Sequence, residues 1–178
     1  MVNENSEKEY RRYVIMDRST TEESPVELIT CKITEDIPDS ELNNFEKYIR
    51  KMLSDIDCDI NNFTVIDVIF TEKDKREMGF GSDMMSEFLK TIECYELVFV
   101  HLKLLVSEFP DAPSYDVVLD SLTRQSAFFE KNNFRNISSL FSGNEMEATP
   151  IYVYRNDASK YIIRAAIRRE VIDSLLIV

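Results

Sequence analysis

The sequence predicts a single α+β domain. Its length of 178 residues is enough for one domain with its own hydrophobic core. Hydrophobic residues make up 44% of the chain and charged residues 30%, which is the balance of an ordinary globular protein. Short runs of β-branched and aromatic residues alternate with longer runs in which apolar residues recur every three or four positions. This alternation predicts both strands and helices.

The first third of the chain predicts a hairpin and a helix. Residues 1–9 are polar and acidic, and we expect them to be mobile. Residues 10–17 and 25–33 have the composition of strands, and the turn-forming residues between them predict a β-hairpin. The segment Pro-Asp-Ser at 38–40 predicts the N-cap of an amphipathic helix that ends near Ile56.

The remainder of the chain predicts four more strands and three more helices. We expect residues 10–156 to form the domain and residues 157–178 to form a C-terminal helix packed on it. Residues 107–115 contain two prolines and are too interrupted for regular structure. The predicted strands are 64–71, 97–102, 134–141 and 149–155, and the predicted helices are 81–93, 116–131 and 158–176.

The most informative local feature is a pair of glycines. Only three glycines occur in the chain, and two of them, Gly79 and Gly81, lie between the predicted strand at 64–71 and the helix that follows it. Unpaired N–H groups and the helix dipole make a helix N-terminus attractive to anions, and glycine lets the backbone approach a phosphate closely. A Rossmann fingerprint would need a third glycine where Met84 stands, and the Gly-Lys-Ser/Thr of a P-loop does not occur. The pattern therefore predicts a pyrophosphate site of another kind.

Two segments resemble the signatures of one family. The Arg-x-x-Gly-x-Gly pattern at 76–81 resembles the acyl-CoA pyrophosphate loop of the GNAT superfamily of N-acyltransferases. The segment Ala-Phe-Phe-Glu-Lys-Asn-Asn-Phe at 127–134 is similar to the family's second signature, a helix that ends in Tyr-Glu-Lys-x-Gly-Phe. The predicted strand at 97–102 lies between them, where the family has its fifth strand. Order and approximate spacing therefore agree over residues 64–134.

The resemblance implies a fold in which a central mixed, mostly antiparallel sheet is flanked by helices, as in an α/β sandwich. It also implies that the fourth and fifth strands splay apart to admit acyl-CoA. This chain departs from the family pattern in two places. Its hairpin precedes the long helix of the N-terminal third, and an extra helix follows the last strand.

The resemblance further implies which residues would bind the cofactor. The pantetheine arm would bond to the backbone of Ile69, Phe70 and Thr71, and the guanidinium of Arg76 would lie near the phosphates. Phe129 stands where the family has the tyrosine that protonates the leaving thiolate. The pyrophosphate would be held by the N–H groups of Met78, Gly79, Phe80, Gly81 and Ser82.

Three residues are candidates for catalysis. Tyr115 could supply the missing hydroxyl, with Ser121 and Ser126 as alternatives close to it in sequence. Asp67 stands alone in an apolar strand, where burial could raise its pKa toward that of a general base. A solvent-facing or ion-paired carboxylate is the alternative. His101 has a suitable intrinsic pKa, although a histidine at a strand end is often a bystander.

Charge and cysteine content restrict the partners and the cellular location that the sequence predicts. With 33 acidic and 21 basic residues the net charge is −12, which disfavours nucleic acid and anionic membranes. It favours a cationic amine, such as a polyamine, an aminoglycoside or a basic protein segment, although solubility alone also explains such a charge. No apolar run reaches the length of a membrane helix, and the N-terminus does not have the pattern of a signal peptide. Three widely spaced cysteines and one histidine predict reduced thiols in the cytoplasm and no metal site.

The predicted C-terminal helix has basic residues at every fourth position from Lys160 to Arg168. A solvated face is the simpler interpretation, and a partner-docking or homodimer helix is the alternative.

The predicted function of the chain is an acyl-CoA-dependent N-acyltransferase, in which a primary amine attacks acetyl-CoA directly in a ternary complex. The alternatives are a GNAT-fold protein that binds acyl-CoA without effective catalysis, and an unrelated α+β interaction protein whose glycine turn is coincidental.

Overall fold

The computed structural model describes residues 8–14, 26–58, 60, 62–71, 76, 78–103, 113–141 and 150–176. Within them the chain forms six strands, four α-helices and short 3₁₀ helices at Asp39–Glu41 and Ser138–Phe141. The strands are β1 (Glu9–Val14), β2 (Val26–Ile33), β3 (Phe63–Thr71), β4 (Leu97–His101), β5 (Phe134–Asn136) and β6 (Ile151–Tyr154). The helices are α1 (Asn44–Asp55), α2 (Phe80–Lys90), α3 (Tyr115–Lys131) and α4 (Lys160–Leu176).

The strands form one open sheet in the order β1-β2-β3-β4-β6-β5. β1 and β2 pair antiparallel, which confirms the predicted hairpin. Within the described strands, β3 and β4 make the parallel pair and the other neighbours are antiparallel. The prediction of an α+β domain with a mixed, mostly antiparallel sheet is confirmed at this level.

Helices cover both faces of the sheet and divide the core in two. On one face, α1 and α4 bury Ile49 and Ile162 in a cluster that includes Phe99 of β4. On the other face, α2 and α3 bury Phe88 and Phe129. All five of these side chains are at most 2% exposed. β4 is therefore covered on both sides, which explains its continuous apolar sequence.

Two elements differ from the sequence prediction. α1 begins at Asn44, because Asn43 caps it: its Oδ1 accepts the N–H of Glu46 at 3.0 Å, and the Glu46 carboxylate accepts the N–H of Asn43 at 2.7 Å. The predicted cap at 38–40 instead leads into a 3₁₀ helix. β5 has three residues, since the chain turns into the 3₁₀ helix Ser138–Phe141 where a longer strand was predicted.

The N-terminal residues that the structure describes belong to the fold. Glu9 begins β1, and the ammonium of Lys8 lies 2.5 Å from the carboxylate of Glu46. The Glu46 side chain is 2% exposed and the Lys8 side chain 12%. This ion pair fixes the start of β1 against the first turn of α1. The remainder of the segment expected to be mobile, residues 1–7, lies outside the described residues.

β3 contains a β-bulge at Asp67. Its ladder with β2 shifts register between Ile29 and Thr30, which leaves Asp67 as the extra residue. The bulge reverses the side-chain alternation of the strand. Ile66 and Ile69, three positions apart, consequently both face the core under α2 and α3.

Candidate functional site

β3 and β4 end at the same edge of the sheet, just before the glycine turn. Their ladder starts with Phe63 opposite Leu97 and, among the described residues, ends with Ile66 opposite Val100. β3 continues through residues 67–71, of which 68–71 pair with β2 on one side. Among the described strands none pairs with the other side of residues 67–71, which we call the free edge of β3. In open sheets with parallel strands, ligands bind beyond the carboxyl ends of the strands. The backbone N–H and C=O groups along a free strand edge also require hydrogen-bond partners.

The glycine turn has the geometry of an anion site. Gly79 is the N-cap of α2 and has a φ of +91°, in the region that favours glycine. Glycine has no side chain with which to cap the helix, so Gly79 supplies no side-chain acceptor to the N–H groups of Phe80, Gly81 and Ser82. A methyl group added to Gly79 would meet no atom within 4 Å in the described part of the protein. Among the described residues, the space beside the turn is therefore open.

α3 forms the wall next to this turn. A methyl group on Gly81 would lie 3.4 Å from Oγ1 of Thr71 and 3.4 Å from Cε2 of Phe128. The end of β3, the start of α2 and the last turns of α3 therefore meet at Gly81. Sequence reasoning missed Phe128 and selected its neighbour Phe129. The signal was available, because Phe129 lies two helical turns after the partly buried Leu122 on one face, whereas the partly buried Phe128 lies about 100° round the helix from Phe129.

Phe129 is a core residue. It is 1% exposed, and its ring centroid lies 5.2 Å from that of Phe134 and 6.3 Å from that of Tyr152. The Tyr152 hydroxyl donates to Oε1 of Glu130 at 3.4 Å, and burial raises the pKa of this phenol. The structure thus places Phe128, not Phe129, beside the glycine turn.

The turn carries charges of both signs. Nε of Arg76 donates to the carbonyl of Thr71 at 3.1 Å, which holds the guanidinium at the end of the free edge. Met78 is 62% exposed directly before Gly79. Asp83 is exposed in the first turn of α2, where a carboxylate stabilises the helix but repels a bound phosphate.

Asp67 is an exposed carboxylate. Its side chain is 41% exposed, and its Oδ1 lies 3.3 Å from Nζ of Lys103, whose side chain is 49% exposed. The burial that the general-base hypothesis requires is therefore not present, and the ion-paired alternative describes this residue. Lys103 follows β4, and its carbonyl accepts a hydrogen bond from Nε2 of Gln125 on α3 at 3.2 Å. The ion pair consequently joins β3, one residue past its described ladder with β4, to the segment that follows β4.

His101 is the last residue of β4 and is partly buried on the α1 side. Its imidazole stacks on Phe45, with ring centroids 5.0 Å apart and planes inclined by 25°. Burial lowers the pKa of His101 to about 4, and the Lys103 ammonium contributes to the same shift. The imidazole is therefore neutral at pH 7 and accepts a proton only weakly. Asp67 and His101 each follow the last pair of the β3–β4 ladder, so the parallel register brings these two candidates to one place.

Tyr115 lies away from this place. It is 77% exposed in the first turn of α3, about 15 Å along the helix axis from Gln125. Ser121 accepts a hydrogen bond from Gln125 at 3.3 Å and so lies on the side of α3 that faces the end of β4. Ser126 is instead a hydrogen-bond neighbour of the Tyr152 hydroxyl.

Two cavities lie elsewhere on the protein. One of about 280 Å³ is at the edge where β3 and β4 begin, with Lys32, Glu93 and Tyr95 in its wall. Another, of about 370 Å³, lies at the N-terminus of α4 beside Arg155 and Arg164. Neither cavity is lined by a residue that the sequence predicts for the site.

Comparison with models of protein families, with curated proteins and with solved structures finds no match to this chain. Within the described residues, no three His, Cys, Asp or Glu side chains converge as a metal site. No helix in the described part of the chain is long and apolar enough to cross a membrane. Cys31, Cys58 and Cys94 are free thiols.

Proposed function

We propose that this protein is an acyl-CoA-dependent N-acyltransferase that transfers an acetyl group from acetyl-CoA to a primary amine. The observation that carries the proposal is a free strand edge placed directly before a glycine-opened helix N-terminus. Acetyl-CoA combines the two complementary groups, a diphosphate and a chain with two amides. An extended chain with amides can pair with a strand edge, and a diphosphate suits a helix N-terminus.

The diphosphate would lie on the N–H groups at the start of α2, in the open space beside Gly79. Arg76, held at the end of β3 by its bond to Thr71, would add a cation to that site. The pantetheine arm would then run back along the free edge and pair with the backbone of Ile69 and Phe70. Phe128 would cover it from the α3 side.

The sheet supports the same proposal. The resemblance implied a mixed, mostly antiparallel sheet in which the strands on either side of the glycine helix diverge. Those strands are β3 and β4, and their ladder covers four residue pairs among the described residues, whereas β3 continues to Thr71. The departure foreseen for the N-terminal third is also present, since α1 stands between the hairpin and β3.

The reaction would proceed by direct attack. The neutral amine nitrogen attacks the thioester carbonyl carbon, the C–N bond forms, and the C–S bond breaks as the CoA thiolate leaves. The bulge at Asp67 takes one residue out of the regular ladder, and its backbone N–H is the donor we assign to the oxyanion. The amine gives its proton to water, and water protonates the thiolate, because Phe129 has no proton to give.

A cationic amine suits the acceptor side of this site. The Asp67 carboxylate lies next to the last described pair of the β3–β4 ladder. In the free protein it is paired with the exposed Lys103 ammonium. Exposed ion pairs of this kind contribute about 1 kcal/mol or less, so the ammonium of an acceptor can replace that of Lys103. The net charge of −12 attracts such acceptors over longer distances.

Isothermal titration calorimetry with acetyl-CoA tests the binding step. We expect a dissociation constant well below about 1 mM, and much weaker binding of pantetheine, which has no diphosphate. Absence of binding at that concentration would remove the proposal. Release of CoA thiol in the presence of spermidine, and of a lysine-rich peptide as a second acceptor, tests the transfer step.

A second candidate function is acyl-CoA binding without catalysis. Two observations favour it: Phe129 places a hydrocarbon ring where the family has a proton donor, and the low pKa of His101 makes it a poor base. Tight binding of acetyl-CoA without thiol release across a broad amine panel would select this candidate over the enzyme.

A further inference from the structure

A cavity of about 370 Å³ lies between the end of β6 and the first turns of α4. Arg155, the first residue after β6, lines it together with Lys160 and Arg164 of α4. The partly buried Ile163 adds an apolar side chain to its wall. We call it the α4 cavity. Its volume lies in the range of sites that bind small molecules.

The α4 cavity and the glycine turn lie at opposite edges of the sheet. β6 runs antiparallel to β4, so β6 ends where β4 begins, and Nδ2 of Asn156 donates to the carbonyl of Glu96, directly before β4, at 2.6 Å. The glycine turn instead follows Thr71, eight residues or about 26 Å of strand beyond the start of β3 at Phe63. A ligand of the α4 cavity is therefore separate from the proposed acyl-CoA site.

Hydrogen bonds fix the backbone from which Arg155 projects. Its N–H donates to the carbonyl of Asn133 at 2.9 Å, and its carbonyl accepts Nδ2 of Asn133 at 3.1 Å. In the following turn, Oδ1 of Asn156 accepts the N–H of Ser159 and Oγ of Ser159 accepts the N–H of Asn156, each at 3.0 Å. The protein's own groups thus close this turn, and the wall that carries Arg155 is preorganised.

The α4 cavity has more cations than carboxylates. Lys160 pairs with Asp157 at 2.5 Å, so these two charges cancel. Arg155 and Arg164 form no ion pair with any residue that the structure describes. The chain has 33 acidic and 21 basic residues, so a shortage of carboxylates does not explain the two unpaired guanidinium groups. Two positive charges therefore remain for a ligand.

We infer that the α4 cavity binds the phosphate group of a small organic molecule. A guanidinium presents two parallel N–H donors that match two phosphate oxygens, and a dianionic phosphate balances two arginines where a carboxylate balances one. The cavity is larger than the ion requires, since a water molecule takes about 30 Å³ in the liquid. The organic part of the ligand then lies on Ile163 and on the aliphatic stem of Lys160.

Nuclear magnetic resonance titration with phenyl phosphate tests the site and its location. At about pH 8 a phosphate monoester carries close to two negative charges. The amide signals of residues 155–164 should shift, with a dissociation constant below about 1 mM. Benzoate, which has the same ring and one charge, and inorganic phosphate, which has no organic part, should each bind about 5-fold or more weakly. Equal binding of benzoate, equal binding of inorganic phosphate, or shifts confined to residues 78–82 would each overturn the inference.

Substitution of the two arginines tests their role. Arg155→Gln and Arg164→Gln should each weaken the binding of phenyl phosphate about 5-fold or more, with unchanged melting temperature, because both side chains are exposed. Arg168→Gln is the matched control, since Arg168 is exposed on the same helix but does not line the cavity, and it should bind like the parent protein. Parent affinity in the variant with both Arg155→Gln and Arg164→Gln would overturn the inference.

The same double variant distinguishes this site from acyl transfer. It should bind acetyl-CoA as tightly as the parent protein, whereas Gly79→Ala should bind phenyl phosphate like the parent. If the parent protein binds no acetyl-CoA, the proposed function fails and the titration with phenyl phosphate still decides the α4 cavity. A loss of acetyl-CoA affinity in the double variant would place the cavity within the acyl-CoA site and overturn the inference of a separate one.

Discussion

Replacement of Gly79 by alanine separates a phosphate site from an incidental turn. At a φ of +91° a Cβ is strained by about 1–2 kcal/mol. The smaller entropy of the unfolded alanine chain offsets about 0.4–1 kcal/mol of this cost. The net loss of up to about 1.6 kcal/mol should lower the melting temperature by up to about 6 °C. No steric term adds to the loss, because the methyl group meets no described atom within 4 Å.

The effect on affinity should be larger than the effect on stability. The methyl group would enter the open space in which we place the diphosphate, and the altered φ would turn the following N–H groups away from it. Loss of one hydrogen bond to a charged group costs about 1.5–3 kcal/mol, which corresponds to about a 10- to 150-fold weaker affinity for CoA. Calorimetric titration well below the melting temperature measures this change on the folded variant.

Asp57→Ala is the control for backbone strain. Asp57 has a φ of +54° at the end of α1, far in sequence from the glycine turn. This variant should lose stability through the same left-handed conformation and keep the parent affinity for CoA. If Gly79→Ala binds CoA as tightly as the parent protein and differs only in melting temperature, the turn is not a phosphate site and the reasoning fails.

Three other changes give expected results of different sign. Asp83→Asn should bind CoA about 2- to 5-fold more tightly, since it removes a carboxylate worth about 0.3–1 kcal/mol at a helix N-terminus; equal or weaker binding by calorimetry would contradict this. Asp67→Asn should raise KM for spermidine and Lys103→Met should lower it, each about 2- to 5-fold, and steady-state kinetics showing shifts of the same sign would refute displacement of the ion pair. His101 stays neutral in the fold to about pH 4 but protonates near 6.5 when unfolded, so stability should fall as pH drops through that window. His101→Phe preserves the stack on Phe45, so its free energy of unfolding in urea titrations should not show this part of the pH dependence. An unchanged pH dependence in the variant would contradict the role given to His101.

Much of the fold follows from the sequence because burial imposes periodicity. β4 could be placed within one residue, since an apolar run between charged segments has few other structures available. The helix of the glycine turn was also correctly placed, because Met84, Met85 and Phe88 lie on one face and are all buried. In both cases the side chains that define the pattern are those that form the core.

The start of α1 was predicted wrongly because side-chain hydrogen bonds, and not residue composition alone, determine where this helix begins. Pro-Asp-Ser at 38–40 is a plausible helix start, but Asn43 and Glu46 form a reciprocal capping box three residues further on. The carboxylate of Glu46 also receives Lys8 from a distant part of the chain. The Asn-x-x-Glu pattern at 43–46 is a local signal, whereas the contact of Glu46 with Lys8, 38 positions away, cannot be found from local pattern.

The site was predictable in its backbone but not in its side chains. Gly79 and Gly81 were found because glycine is rare in this chain and its conformational role is specific. Phe128 was missed because two adjacent phenylalanines differ only in helical phase. Asp67 is exposed and ion-paired, which is the alternative that the sequence also allowed; its position at a bulge is not revealed by composition.

The irregular features of the protein meet at one edge of the sheet, and this convergence is itself an argument for function. Among the described residues between 67 and 82, the chain has a bulge, a strand edge beyond the β3–β4 ladder and a left-handed glycine that gives the start of α2 no side-chain cap. Each feature costs stability in an isolated domain, because it leaves backbone groups to water or fixes a flexible residue. Where β3 and β4 begin, by contrast, the described ladder is regular. Proteins retain such local costs where a ligand satisfies the same groups, and a diphosphate attached to an amide chain would satisfy all three.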